Sequence, residues 1–196
     1  MKNIFFSGFM LFAVLFSFGQ SKWELAKNKN GISVYTREVK GEEVKESQGV
    51  MHVNKKPEEV LQIIANVNKY TKWIDKIEYS KLLTKSPTVF LAYMQVKMPI
   101  GVTDRDLVLK NVIKKLKNGG YKVEITSAYN QYPEQEDFIR IKKAYGFWLI
   151  KPDKGRTKVV YQFFSDPAGS LPSWVVNMFL VDTPYNTLDN LRNMLK

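Results

Sequence analysis

Few side chains in this sequence can carry chemistry. Its 196 residues include one histidine, His52, and no cysteine. That removes thiol nucleophiles, thiolate metal sites, iron–sulfur centres, lipidated cysteine anchors and any mechanism that needs two imidazoles. His52 falls at the end of a predicted strand, with no carboxylate or serine that the sequence places beside it, so general-base or triad chemistry lacks a second member. Glu134, Glu136 and Asp137 come nearest to a set of hard-cation ligands. They share a polar loop containing Tyr-Pro, where solvated carboxylates are the simpler reading. This inventory predicts no catalytic residue, no metal and no cofactor. What remains is Asn111, an amide that can both donate and accept, and the adjacent Arg105 and Asp106, read as making a structural salt link with the sheet edge.

The elements that must position these residues follow from period and punctuation. Trp23 to Ala26 and Ile32 to Arg37 flank an Asn-Lys-Asn-Gly turn in which Asn30-Gly31 is a hairpin signal, and Val44 to Val53 reads as a third strand. Asn54 is the expected cap of a helix that has Pro57, Glu58 and Glu59 in its first turn and Val60, Leu61, Ile63, Ile64 and Val67 on one face. Asn68 to Ile74 reads as a second short helix. The period then becomes 2: Glu78–Leu83, Thr88–Lys97, Asp106–Leu116, Tyr121–Ala128, Ile139–Ile150 and Thr157–Asp166 are strands at hairpin spacing. They predict an antiparallel meander. Ser173 to Lys196 reads as a long helix with Ser173 as its cap and Pro184 bending it. The fold class is α+β, a curved sheet gripping one amphipathic helix.

Lysine positions sort the faces. Lys110 and Lys114 share a face with Val108 and Val112, which turns Leu107, Leu109, Asn111 and Ile113 inward. The same test turns Tyr121, Val123 and Ile125 inward, and likewise Val159, Tyr161 and Phe163. An amide among such neighbours needs partners or costs about 1–3 kcal/mol. Asn111 is either satisfied by backbone or water, or it is a polar handle on something held inside the sheet.

Three segments carry a resemblance. Met98-Pro99-Ile100-Gly101-Val102-Thr103-Asp104-Arg105-Asp106-Leu107-Val108 resembles the Pro-Trp-Pro-x-x-x-Arg-Asp stretch of START domains, the lipid-transfer modules related to the steroidogenic acute regulatory protein. Gly146-Phe147-Trp148-Leu149-Ile150-Lys151-Pro152 is similar to that family's Gly-x-Trp-x-x-x-Pro strand. Asp166-Pro167-Ala168-Gly169-Ser170-Leu171-Pro172-Ser173-Trp174 is similar to the Asp-Pro-Gly-Gly-x-Ile-Pro-x-Trp lead into its last helix. All three stand in the family's order, and the match covers nearly all of residues 23–196.

The resemblance implies a helix-grip fold with a tunnel for one hydrophobic molecule. Expected lining residues are Met94, Met98, Leu107, Leu109, Asn111 and Val123, then Tyr161 and Phe163, then Val176, Phe179 and Leu180 from the last helix. Met178 is a further adaptable candidate. Each could equally belong to a solid core, and a cavity decides between the two. A gate is expected where Ile100, Gly101 and Val102 meet Leu171 and Trp174. The sequence departs from the pattern at Ile100, where tryptophan is usual, and at Ala168, where glycine is. Asn111 stands where several carriers have an arginine, which disfavours a carboxylate ligand and favours a neutral hydroxyl or amide.

Lys2 followed by an apolar run from Ile4 to Phe18 reads as a secretory signal over residues 1–19, with Ser17 and Gly19 suited to cleavage before Gln20. The run is about 15 residues, short of the ~20 of a spanning helix; an uncleaved anchor is the competing reading. Residues 20–196 form one domain. The formal charge is +11. For an exported chain this suits transient contact with anionic membrane rather than nucleic acid. The group Lys110, Lys114, Lys115 and Lys117 is either a solvated edge or a docking patch. The leading function is an exported, monomeric carrier of one lipid, periplasmic or secreted. The rivals are a cyclase- or hydrolase-like helix-grip enzyme and an envelope chaperone-like binding module.

Overall fold

Asn30 and Gly31 both take positive φ, 52° and 73°, and so make the tight turn that closes β1 (Glu24–Lys29) on β2 (Ile32–Arg37). This computed structural model describes residues 21–196. The leader expected over residues 1–19 lies outside the described residues. β3 (Glu46–Val53) starts two residues later than the expected Val44. Helix α1 (Pro57–Ile64) is led by Lys56, not by Asn54, because residue 56 is still extended and Pro57 takes the first helical position. The Glu59 carboxylate accepts the Lys56 N–H at 2.8 Å and satisfies one free donor of the helix start. A 3-10 turn over Val67–Lys72 replaces the short helix expected from Asn68 to Ile74.

The remaining strands are β4 (Ile77–Lys85), β5 (Val89–Val96), β6 (Arg105–Lys115), β7 (Tyr121–Ser127), β8 (Ile139–Arg140), β9 (Ala144–Asp153) and β10 (Arg156–Ser165). They pair in the order β1-β2-β3-β10-β9-β7-β6-β5-β4, antiparallel along the whole path. One expectation needs correction: Ile139–Ile150 is not a single strand. Its first two residues pair parallel with the start of β6, and the chain then turns to begin β9 at Ala144.

The lysine test places the inner face correctly. Leu107, Leu109, Asn111, Val123, Ile125 and Val159 are buried, while Lys110 is exposed. The outer face of β6 is not wet throughout, however. Val108 is fully buried beside Leu91, Tyr93 and Ala128, under the segment that follows β7, with Tyr132 packed against them.

Gly146 on β9 permits a close approach of strands. A Cβ there would sit 2.2 Å from the Gln162 carbonyl oxygen and 3.0 Å from the Phe163 Cα. Both are backbone atoms that no rotamer change can move. Gly146→Ala is therefore expected to cost about 1–3 kcal/mol, read as a lower urea midpoint; an unchanged midpoint would contradict this packing.

The final helix is three segments: α2 (Ser173–Asn177), a π turn (Met178–Asp182) and α3 (Thr183–Met194). Ser173 is the first helical residue and not the cap; the N–H groups of Val175 and Val176 both reach the Pro172 carbonyl, at 2.9 and 3.2 Å. Ahead of Pro184 the ladder widens, and the Thr183 N–H donates to the Met178 carbonyl. Leu188 and Leu191 are fully buried, and α3 lies over β3 where Gly49 leaves room: a Cβ on Gly49 would meet Leu188 Cδ1 at 2.5 Å.

Candidate functional site

Between the inner face of the sheet and the last helix lies a cavity of about 150 Å³. Ten of the eleven expected lining residues border it: Met94, Met98, Leu107, Leu109 and Asn111 from the β5–β6 side, Tyr161 and Phe163 from β10, and Val176, Phe179 and Leu180 from the helix. Val123 does not. It is buried in the row of its register partner Trp148, and Trp148 lines the cavity there. Met178 packs against the core without bordering the space. Sequence reasoning missed Tyr70, Ile74 and Asp75, which the 3-10 turn and its exit deliver to the cavity wall. Only the register of a six-residue turn decides that, and no periodic pattern reports it.

Of the expected gate, Leu171 lines the cavity. Val102 packs partly against the core, while Ile100 is fully exposed and Trp174 is 59% exposed. The gate residues thus form an outer rim, with large apolar side chains turned to solvent from the loop after β5 (Ile100) and from the first turn of α2 (Trp174).

Arg105 and Asp106 do not pair with one another. Consecutive strand residues point to opposite faces. Arg105 faces the cavity and Asp106 the outer side, where its carboxylate accepts two hydrogen bonds from Arg140, at 2.7 and 2.8 Å. Arg140 also donates to the carbonyls of Tyr129, Tyr132 and Pro133, tying down the segment that covers Val108. Arg105 instead donates to three carbonyls, those of Thr103, Pro167 (3.2 Å) and Ala168 (3.1 Å). This clasps the loop after β5 to the loop after β10, the two loops that carry the rim.

The polar atoms of the cavity are mostly neutral. Asn111 Nδ2 donates to the Leu109 carbonyl at 3.2 Å, and the Tyr70 hydroxyl donates to the Ile64 carbonyl at 2.7 Å. Burial pushes the hydroxyls of Tyr70 and Tyr161 well above the ordinary phenol range, so both stay protonated. The charged groups at the wall are engaged: Lys45 with Glu38 at 2.9 Å, and Asp75 with the Asn186 amide, which donates at 3.2 Å.

His52 does have a partner, contrary to expectation. Its Nε2 lies 2.8 Å from Asp153 Oδ2, and the hydrogen bond holds the Asp153 carboxyl below its usual range. Neither residue borders the cavity. Register brings them together: β10 carries Lys158 between His52 on β3 and Lys151 on β9, with Asp153 just beyond. In the basic group, Lys114 pairs with Glu124, as does Lys122 from β7, and their hydrogen bonds hold that carboxyl below its usual range. Glu134 pairs with Lys142 at 3.6 Å. Among the described residues no three acidic or histidine side chains gather as a metal site.

The START domain model matches residues 16–196. This chain belongs to the START domain family. An uncharacterised protein from Pseudomonas aeruginosa is 34% identical over 172 residues, 87% of this chain and 85% of that protein. The phosphatidylcholine transfer protein of Rattus norvegicus is 33% identical over 92 residues, 44% of this chain and 43% of its own length. Among solved START structures, a STAR-related lipid transfer protein of Xanthomonas axonopodis superposes with a TM-score of 0.83 at 32% identity, covering 88% of this chain and 98% of that one.

Proposed function

We propose that this START protein is an exported, monomeric carrier that shelters one lipid in its cavity and exchanges it at anionic membrane surfaces. The observation that carries the reading is an apolar internal cavity, on the buried side of a rim whose outer side chains, Ile100 on the loop after β5 and Trp174 at the start of α2, are exposed. Burying hydrocarbon is worth about 0.8 kcal/mol per CH₂, so a 16-carbon chain supplies on the order of ten kcal/mol with no catalytic group. The formal charge of +11 supports attraction to anionic headgroups. The leader-like residues 1–19 support export. Holding is favoured over catalysis because, among the described residues, the cavity wall carries no histidine and its one carboxylate, Asp75, is bonded to Asn186. Lipid mass spectrometry on protein purified without detergent tests this: one lipid per chain is expected. Protein that is empty and takes up no fluorescent sterol, fatty acid or phospholipid would overturn the carrier reading.

Trp174 has a separate part. Its indole is placed to enter the headgroup layer during exchange. Trp174→Ala is expected to slow lipid transfer between vesicles about tenfold, from the apolar area it no longer buries, with occupancy of the purified protein unchanged. An unaltered transfer rate would move the docking surface elsewhere.

A further inference from the structure

In an antiparallel sheet the connections alternate between the two ends of the strands, and here the two ends differ in free charge. The gate end carries the loops of residues 97–104 and 166–172. Those loops hold one lysine, Lys97, which lies 3.1 Å from Asp104 and 3.9 Å from Glu78. Arg105 beside them is bonded to three carbonyls. At the same end Lys45 pairs with Glu38, Lys142 with Glu134 and Lys143 with Glu42. The opposite end gathers the β4–β5, β6–β7 and β9–β10 turns and the connection from β3 to α1. Register sets these side by side. The Ile113 N–H donates to the Thr88 carbonyl at 2.7 Å, a Cβ on Gly120 would lie 3.0 Å from the Lys151 Cα, and the Thr157 hydroxyl donates to the Lys55 carbonyl at 2.5 Å.

That row carries Lys56, Lys85, Lys115, Lys117, Lys154 and Arg156, all exposed and none in an ion pair among the described residues. The carboxylates around them are taken: Asp153 by His52, Glu124 by Lys114 and Lys122, Glu59 by Lys55, and Glu58 by the Tyr121 hydroxyl. Cations left without acids sum into one positive field, and nothing inside the fold uses it. From β3 to β4 the row crosses six strand spacings, about 29 Å along the sheet. Such a breadth suits a plane of negative charge better than the ~12 Å major groove of a duplex. Single-stranded nucleic acid stacks its bases on aromatic side chains. The exposed ones, Tyr79, Tyr129, Tyr145 and Trp174, all stand toward the gate end. β6 runs from one end to the other in 11 residues, so the row lies about 35 Å from the gate, several screening lengths away at ~8 Å each. Resting on the carrier reading only for what the gate does, we infer that this far end docks on the headgroups of an anionic bilayer and turns the gate outward, toward a second surface. Anchoring and exchange fall to opposite ends of the sheet.

Binding to vesicles of phosphatidylcholine, alone or mixed with phosphatidylglycerol, tests this. Lys117→Glu combined with Lys154→Glu is expected to weaken binding to the mixed vesicles about a hundredfold. Lys142→Glu combined with Lys143→Glu makes the same change in net charge at the gate end and is expected to alter it by no more than about twofold. Unchanged near-ultraviolet circular dichroism reports that both variants are folded. The chain has no cysteine, so Lys117→Cys or Ile100→Cys takes a single fluorophore. On mixed vesicles, nitroxides at the headgroups are expected to quench the label at position 117 and to spare the one at position 100. Quenching at 100 alone, or equally at both, overturns the proposal. So does a far-end double variant that binds like the unaltered protein, or duplex DNA that binds more tightly than mixed vesicles at equal phosphate. None of these readouts needs a cargo, so their failure leaves the carrier reading standing, and a protein found empty of lipid leaves this docking surface standing.

Discussion

Arg140→Met is expected to lower the free energy of unfolding by about 3–5 kcal/mol, the cost of leaving one member of a buried ion pair behind. The Asp106 side chain is 0% exposed and that of Arg140 2%, so water cannot take the place of the lost partner. The substitution also strips the donor from the carbonyls of Tyr129, Tyr132 and Pro133. The segment over the outer face then loses its attachment, and with it the cover of Val108 and Tyr93. Urea denaturation measures the loss. Adding Asp106→Leu to Arg140→Met removes the stranded charge and is expected to restore much of the stability; a double variant no more stable than the single one would place the energy in the carbonyl contacts instead.

Arg105→Met is expected to act at both ends of the protein's work, costing about 3 kcal/mol of stability and speeding lipid exchange several-fold. Arg105 is buried, with three carbonyls from two different loops around one guanidinium. A methionine fills similar space and donates nothing, so the loop after β5 and the loop after β10 part more readily. Stopped-flow transfer of a fluorescent lipid to vesicles measures the rate. A destabilised protein with an unchanged rate would show that these loops do not move in exchange.

Much of this was legible because the signals were local. Asn30-Gly31 specifies its turn by backbone preference alone, and lysines on alternate positions of β6 and β7 reveal the inner face. Ten lining residues follow from that alternation, the helical period and three ordered motifs. What escaped depends on contacts between distant segments. The split of β8 from β9 follows from Arg140 reaching Asp106, 34 residues earlier, and no pattern around residue 140 announces it. That Arg105 and Asp106 take separate partners, two loops for one and Arg140 for the other, follows from strand neighbours facing apart. His52 finds Asp153 only through the register of β3, β10 and β9. The π turn escaped because Pro184 signals a disturbance in a helix without saying whether the axis bends or the ladder widens.

That widened turn divides the last helix by mechanical anchorage. Beyond it, Leu188 and Leu191 are fully buried and Leu188 is seated over Gly49; within it, Phe179 and Leu180 are only half-buried and rest on empty space. Local opening free energies follow the packing beneath each turn, so the amides of the π turn Met178–Asp182 are expected to exchange hydrogen faster than those of Thr183–Met194, with Val175 the one fully buried anchor ahead of it. On the carrier reading proposed above, filling the space is expected to slow that exchange by mass action. A loaded protein is then expected to close more firmly than an empty one, a latch whose bolt is its own cargo.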